Sequence, residues 1–233
     1  TERMLKGFGI ELTKEGNLII LDKGDKGELH SQDIQVPGDI SSAAFFITAG
    51  LITDDSEILL KDIGINPTRS GFIQVVKEMG GQIELINQRE ASGEPIADLL
   101  VKSSKLQGVE ISGDIIPKLI DEIPIIAVLA SQAEGETVIK DAAELRVKET
   151  DRIMATATEL SKLGVEIEEL EDGMVINGKA PITGGIKVKS YGDHRIAMAL
   201  AIAGLVADEA VTILNSDVIN TSFPQFESLL SSL

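Results

Sequence analysis

A chain of 233 residues with 43% hydrophobic and 25% charged side chains can bury a sizeable core; it is longer than one typical domain and short for two. Its formal net charge of −17 excludes general nucleic-acid binding, which needs a basic footprint, and the absence of Cys excludes disulfides, thiolate metal sites and a cysteine nucleophile. With 3% aromatic residues and no Trp, the core must be built from Ile, Leu, Val and Ala, and two His (His30 and His194) far apart argue against a His-rich zinc site. The longest apolar run, Ile196 to Ala207, is too short to span a bilayer, and nothing near Thr1 resembles a signal peptide. A Cys-free chain suits a reducing compartment, so a cytoplasmic location is expected, and Thr1 in place of Met suggests a processed or cut chain.

In chain order the sequence repeats itself. Arg3–Phe8 has a helical pattern closed by Gly9, followed by an alternating strand, the turn Glu15-Gly16-Asn17 and a second strand Leu18–Leu21. Asp22 to Ser31, polar and Gly-rich, reads as a linker, with a boundary near Ile34–Gly38. Pro37-Gly38-Asp39 then leads into an apolar helix over Ala43–Ile52 and a strand over Glu57–Lys61. A second helix, Ser70–Met79, ends at Gly80 and a hairpin follows, turning at Ser92-Gly93 into Asp98–Val101. The cycle recurs with Asp121, an apolar helix Ile125–Ala133, strand Glu136–Lys140, helix Asp151–Leu163 closed by Gly164, the turn Asp172-Gly173 and strand Met174–Ile176. It starts a third time at Gly192-Asp193, with apolar helix Ile196–Ala207, strand Ala210–Leu214 and helix Phe223–Leu230.

The repeating unit is strand, helix, strand, helix, hairpin. Residues 33–102 and 109–178 hold complete units, residues 1–22 only the second half of one, and the third, from Gly185, stops at Leu233 without its hairpin. The expected fold is α+β, repeated βαβαββ units with pseudo-threefold symmetry, incomplete in this chain. The three Ala-rich helices should be buried together, because they are apolar on nearly all faces. A chain that starts and ends within a unit is expected to be a fragment, or to depend on strands supplied from elsewhere.

The stretch Leu145-Arg146-Val147-Lys148-Glu149-Thr150-Asp151-Arg152-Ile153 sits where a helical pattern opens, and helix starts favour anions. Lys148 and Arg152, four apart, are expected on one helix face, with Glu149 and Asp151 interleaved. Two cations and a carboxylate there suit a phosphate or carboxylate ligand and a proton transfer, although a solvated, self-paired first turn fits the same residues. Stacked units can turn their helix starts to one side, bringing Asp39, Asp121 and Gly192-Asp193-His194-Arg195 near Lys148 and Arg152. Asp121 taken alone is most simply an N-cap. Arg195 in a first turn opposes the helix dipole, which suggests a ligand unless Asp193 neutralises it.

Leu145–Ile153 and Gly192-Asp193-His194-Arg195-Ile196-Ala197-Met198 resemble the two signature motifs of the C-terminal half of the 5-enolpyruvylshikimate-3-phosphate (EPSP) synthase family. Val36-Pro37-Gly38-Asp39-Ile40-Ser41-Ser42-Ala43-Ala44, Ile120-Asp121-Glu122-Ile123-Pro124 and Thr221-Ser222-Phe223-Pro224 fall in the family's order around them. The resemblance implies transfer of the enolpyruvyl group of phosphoenolpyruvate (PEP) to the 5-hydroxyl of shikimate 3-phosphate, a step in aromatic amino-acid biosynthesis. Phosphate is released through a tetrahedral adduct, without metal or organic cofactor. It implies that Asp121 binds the shikimate hydroxyls and accepts a proton, that Lys148 contacts shikimate 3-phosphate, that Arg152 and Arg195 hold PEP, and that Glu149 moves a proton. His194 matches a motif position whose role is either support of the Arg195 loop or catalysis. Thr221 falls where some members carry a PEP-contacting lysine.

The family's N-terminal Lys-Ser, Asn-Ala-Gly-Thr-like, Arg-Pro and Ser-Ser-Gln motifs are absent from the sequence. The resemblance therefore implies that residues 1–36 are the tail of a first domain and 37–233 a second, catalytic domain lacking one hairpin. The missing N-terminal half becomes a necessary partner. The full-length enzyme is expected to be a monomer, and this chain, inactive alone, to self-associate through an unpaired strand edge. No nucleic-acid or membrane partner is expected. Two alternatives stand beside this: an enolpyruvyl transferase acting on UDP-N-acetylglucosamine, whose usual active-site cysteine has no match here, and a non-catalytic anion-binding module of the same fold.

Overall fold

The computed structural model describes residues 1–21, 28–179 and 181–233, so the expected linker falls largely on residues 22–27, outside the described residues. Helix α1 (Glu2–Gly7) and the hairpin β1 (Leu12–Glu15) and β2 (Leu18–Leu21) come first. α1 buries no residue, and Leu18, Ile19, Ile20 and Leu21 are all exposed.

The first full unit is α2 (Ile40–Ile52), β3 (Glu57–Gly64), α3 (Gly71–Glu78), β4 (Gln82–Ala91) and β5 (Glu94–Lys102). The second is β6 (Glu110–Ile111), α4 (Ile123–Ser131), β7 (Glu136–Ile139), α5 (Arg152–Lys162), β8 (Glu166–Glu169) and β9 (Met174–Asn177). The third is β10 (Lys187–Lys189), α6 (His194–Ala203), β11 (Thr212–Leu214) and α7 (Phe226–Leu230). β6 runs parallel to β7, whose other edge pairs antiparallel with β9, which pairs with β8. The same plan appears as β3-β5-β4 in the first unit, where the leading strand shrinks to one parallel bridge between Gly38 and Ile63. In the third it appears as the parallel pair β10–β11 alone. A parallel pair joined through a helix is the crossover that puts that helix on one face of its sheet.

The helices so placed are α2, α4 and α6, which pack on one another at the centre. Every residue of α4 is buried, as is nearly all of α2, matching their lack of a polar face. The amphipathic α3 and α5 bury one side only. Asp39 caps α2 by accepting from the Ser42 N–H at 2.9 Å, and Asp193 caps α6 by accepting from the Arg195 N–H at 2.8 Å. Four of the few aromatic residues form one cluster: Phe45 and Phe46 of α2 meet Phe226, and Phe223 stacks edge-on to Phe46 at 5.9 Å. This cluster ties the third unit back to the first.

Two expected helices are shorter than their patterns. The helix expected over Phe223–Leu230 starts at Phe226, and Ile196–Ala207 ends as a 3-10 turn (Gly204–Val206). A third expectation is corrected: residues 143–147 form a 3-10 turn, and α5 begins only at Arg152, because Asp151 caps it through the Met154 N–H. Lys148 therefore lies in a loop, and does not share a helix face with Arg152.

Candidate functional site

Asp121 is the middle residue of the short 3-10 turn Ile120–Glu122 that feeds α4, and its side chain is not the cap of that helix. It points across to two cations of its own unit and one of the third. Its Oδ1 accepts from Arg152 Nη1 at 3.0 Å and lies 3.6 Å from Lys148 Nζ, while Oδ2 is 3.8 Å from Arg195 Nη2. Partial burial works to raise this carboxyl, but Arg195, Lys148 and Arg152 outweigh it and hold it below the usual range. Four residues distant in sequence thus converge on one point.

Arg152, at the first position of α5, is 1% exposed. Its Nε donates to Asp193 at 2.7 Å, Nη1 to Asp121, and Nη2 to Glu149 at 2.6 Å. The fork geometry of guanidinium is what lets one side chain order three carboxylates. Asp193, fully buried, serves two helices with its two oxygens, capping α6 and holding Arg152. The sequence left neutralisation of Arg195 by Asp193 as the alternative to a ligand; the Asp193 side chain instead bonds the Arg152 guanidinium and the Arg195 backbone N–H. Glu149, in contrast, is exposed and stands on the open side of Arg152.

Lys148 is half-buried and its ammonium pairs with Glu144 at 2.8 Å; the Glu144 contact, then Asp121, keep it protonated above its ordinary value. Arg195 donates from Nη1 to the Asp121 carbonyl at 3.2 Å, with Glu122 Oε1 at 3.5 Å. His194 opens α6, and burial is the main cause pushing its imidazole below its ordinary value, so it is uncharged near neutral pH. Asp39 is engaged with Ser42 and makes no recorded contact with these cations among the described residues. Arg146 joins Asp151 and Glu169, and Thr221 bonds only the Val218 carbonyl among the described residues.

Glu122 and Glu159 were not singled out from the sequence. Burial pushes Glu122 above the usual carboxyl range, against the opposing pull of the Ser41 hydroxyl, Arg195 and Arg69. Glu159, buried on α5, accepts from Lys162, from the Tyr191 hydroxyl at 2.7 Å and from the Lys189 N–H at 3.0 Å. It thereby pins the loop that delivers Asp193, His194 and Arg195 to the helix carrying Arg152. Its neighbours one turn away, Ala155, Thr156, Lys162 and Leu163, mix apolar and polar residues, so no local pattern marks it as buried. A separate cleft of about 1060 Å³, lined by residues 1–8, 32–37, 66–68 and 90–94 among others, contains none of the converging side chains.

The arrangement offers cations around one carboxylate, partly shielded from water, with a second carboxylate at the rim. It suits an anionic ligand and a proton acceptor side by side. Comparison with known proteins agrees in outline. The family model described as "EPSP synthase (3-phosphoshikimate 1-carboxyvinyltransferase)" matches residues 1–230. A 3-phosphoshikimate 1-carboxyvinyltransferase of Brevibacillus brevis is 54% identical over 230 residues, covering 99% of this chain and 53% of that protein. One of Petrotoga mobilis is 52% identical over 233 residues, covering 100% of this chain and 54% of that protein. An EPSP synthase structure from Acinetobacter baumannii superposes with a TM-score of 0.94 at 44% identity, over 99% of this chain and 53% of that one. The chain spans about half the length of the curated relatives it matches.

Proposed function

The chain belongs to the EPSP synthase family, and on that premise we propose that it carries one wall of an active site that moves the enolpyruvyl group of PEP to the 5-hydroxyl of shikimate 3-phosphate. The observation that carries the reading is the convergence of Lys148, Arg152 and Arg195 on Asp121. In this reading Lys148 takes the shikimate phosphate, Arg195 and Arg152 take the carboxylate and phosphate of PEP, and Asp121 accepts the proton of the attacking hydroxyl. Glu149 protonates the methylene carbon of PEP as the hydroxyl oxygen bonds the phosphate-bearing carbon; in the collapse of the adduct a methyl proton returns to Glu149, the C=C reforms and the C–O bond to phosphate breaks.

The electrostatics support that division of labour. In the free chain Asp121 is held low by the cations around it, which makes it a weak base. Two bound anions would neutralise those cations and raise its proton affinity when the hydroxyl arrives. Glu149 occupies the open edge of Arg152 as an anion would, so a phosphate binding there displaces it and frees its carboxyl group to approach the reacting carbon. His194, uncharged near neutrality, fits support of the loop better than charge-based anion binding.

Residues 1–36 are read as the tail of a preceding domain and 37–233 as the catalytic one, in a cytoplasmic enzyme. No helix among the described residues is long and apolar enough to cross a membrane. The test is phosphate release from PEP and shikimate 3-phosphate by this chain, alone and mixed with the first half of the Brevibacillus brevis relative. The expected result is turnover only in the mixture, falling by about a hundredfold or more in D121N through loss of the base. Undiminished turnover in the D121N mixture would overturn the assignment.

A further inference from the structure

Glu122 has no part in the roles above, yet it is a carboxylate only 2% exposed, set directly before the wholly buried α4. Burying a carboxylate is costly unless partners meet it, and here the partners form a line across all three units. Arg69, at the surface of the first unit, donates from Nη2 to the Ser41 hydroxyl at 2.8 Å. Ser41, itself 2% exposed, donates onward to Glu122 Oε1 at 2.5 Å. A hydroxyl that accepts on one side and donates on the other fixes the direction of the line. Glu122 Oε1 then meets Arg195 Nη1, the same nitrogen that bonds the Asp121 carbonyl.

We infer that Glu122 is a positioning residue, oriented by Arg69 through Ser41, that sets the Arg195 guanidinium at the angle in which it meets its anion. The inference rests on reading Arg195 as an anion-holding cation. Charge and position make opposite demands at this site. A negative charge beside Arg195 by itself weakens anion binding, whereas an anchor that fixes the guanidinium strengthens it by removing the ordering cost. Variants separate the two effects: E122Q keeps an oxygen acceptor without the charge, E122A removes both, and E122D keeps the charge on an arm one methylene shorter.

The experiment is a PEP titration of this chain, read from arginine side-chain 15N–1H spectra, with R195Q as control. Expected in E122A and E122D are collapse of the Arg195 signal to that of a freely rotating guanidinium, an unchanged Arg152 signal, and PEP binding weaker by about fivefold, the loss of one charged hydrogen bond partly compensated by Asp121. E122Q should keep the Arg195 signal and bind PEP at least as tightly as the parent chain. Wild-type binding in R195Q defeats the reading of Arg195 itself. Weakened binding in R195Q with unchanged or tighter binding in E122A and E122D overturns the role of Glu122 alone. Joint loss of the Arg152 and Arg195 signals in both E122A and E122D would indicate collapse of the site and overturn it as well.

Discussion

Arg152 and Asp193 are 1% and 0% exposed and joined at 2.7 Å, so neither can be solvated if the other is lost. Removing one partner of a buried pair costs roughly 3–5 kcal/mol when the other charge is left alone; here Asp121 and Glu149 still face Arg152, which places the loss at the lower end of that range. In D193N the amide has one oxygen for two donors, Arg152 Nε and the Arg195 N–H, and turns an N–H₂ group toward one of them. We expect D193N to lose stability in that range by urea unfolding. Its helix content should persist, since α6 retains an N-cap acceptor; a loss below about 1 kcal/mol would mean that water reaches the pair. The dual service of Asp193 was half legible. An Asp before an apolar helix announces a cap, and that cap is present, but the second oxygen's partner comes from another unit and leaves no local pattern. Asp121 shows the converse. Its position also reads as a cap, yet α4 begins with Pro124 in its first turn and all-buried neighbours, and the carboxylate is free to reach the cations.

Among the elements, the hairpins and buried helices were readable because period, Gly turns and caps are local, while the irregularities between strands were not. β3 and β4 each slip register against β5, between Leu60 and Ile63 and between Ile86 and Arg89, with Asp62 and Asn87 in the left-handed region. Asp98 on the central strand serves both bulges, accepting from the Asp62 N–H and the Asn87 amide, each at 2.9 Å, and from Arg89. Those bonds, the Asp62 N–H first, draw its carboxyl down to about 2 from an ordinary 3.8. A group depressed on folding contributes stability that is fully present above its unfolded value and lost as pH falls through the folded one. Wild-type chain should therefore weaken between pH 4 and pH 2 partly through Asp98, and D98N should show a flatter urea-midpoint profile across that window. Identical slopes would mean the bulges do not draw on this charge. The close approaches of Gly108 to the Glu136 carbonyl and of Gly184 to the Glu209 carbonyl lie at matching points of the second and third units. Gly108 sits in no recognisable turn motif and Gly184 opens a Gly-Gly pair that marks only a turn, so this close approach emerges only in three dimensions.

For the molecule as a whole, the open question is what residues 1–36 contribute to the body that follows. α1 buries nothing, β1 and β2 are exposed but for a half-buried Leu12, and among the described residues the side-chain ties to the main body are few: Arg3 Nη1 to the Gly93 carbonyl at 3.4 Å, the Gln35 N–H to Ser92 Oγ at 3.0 Å and Ser92 Oγ to the Asp33 carbonyl at 3.5 Å. Exposed contacts of that kind are worth little, on the order of 1 kcal/mol or less each. The central packing of α2, α4 and α6 and every contact of Asp121 lie within residues 37–233. A chain cut to 37–233 should therefore unfold at a temperature within a few degrees of the parent, an allowance of about 1 kcal/mol for a body of this size. Two features could drive self-association: the apolar strand Leu18–Leu21 on the tail, and the edge of β11 that carries no hairpin here. Deletion distinguishes them, because it removes the first and leaves the second. Since an unpaired strand edge gives directional hydrogen bonds in addition to apolar contact, we expect sedimentation velocity to show the cut chain still associating with rising concentration. A strictly monomeric cut chain would assign the association to Leu18–Leu21, and a cut chain that fails to fold would show that residues 1–36 are part of the main body's own structure.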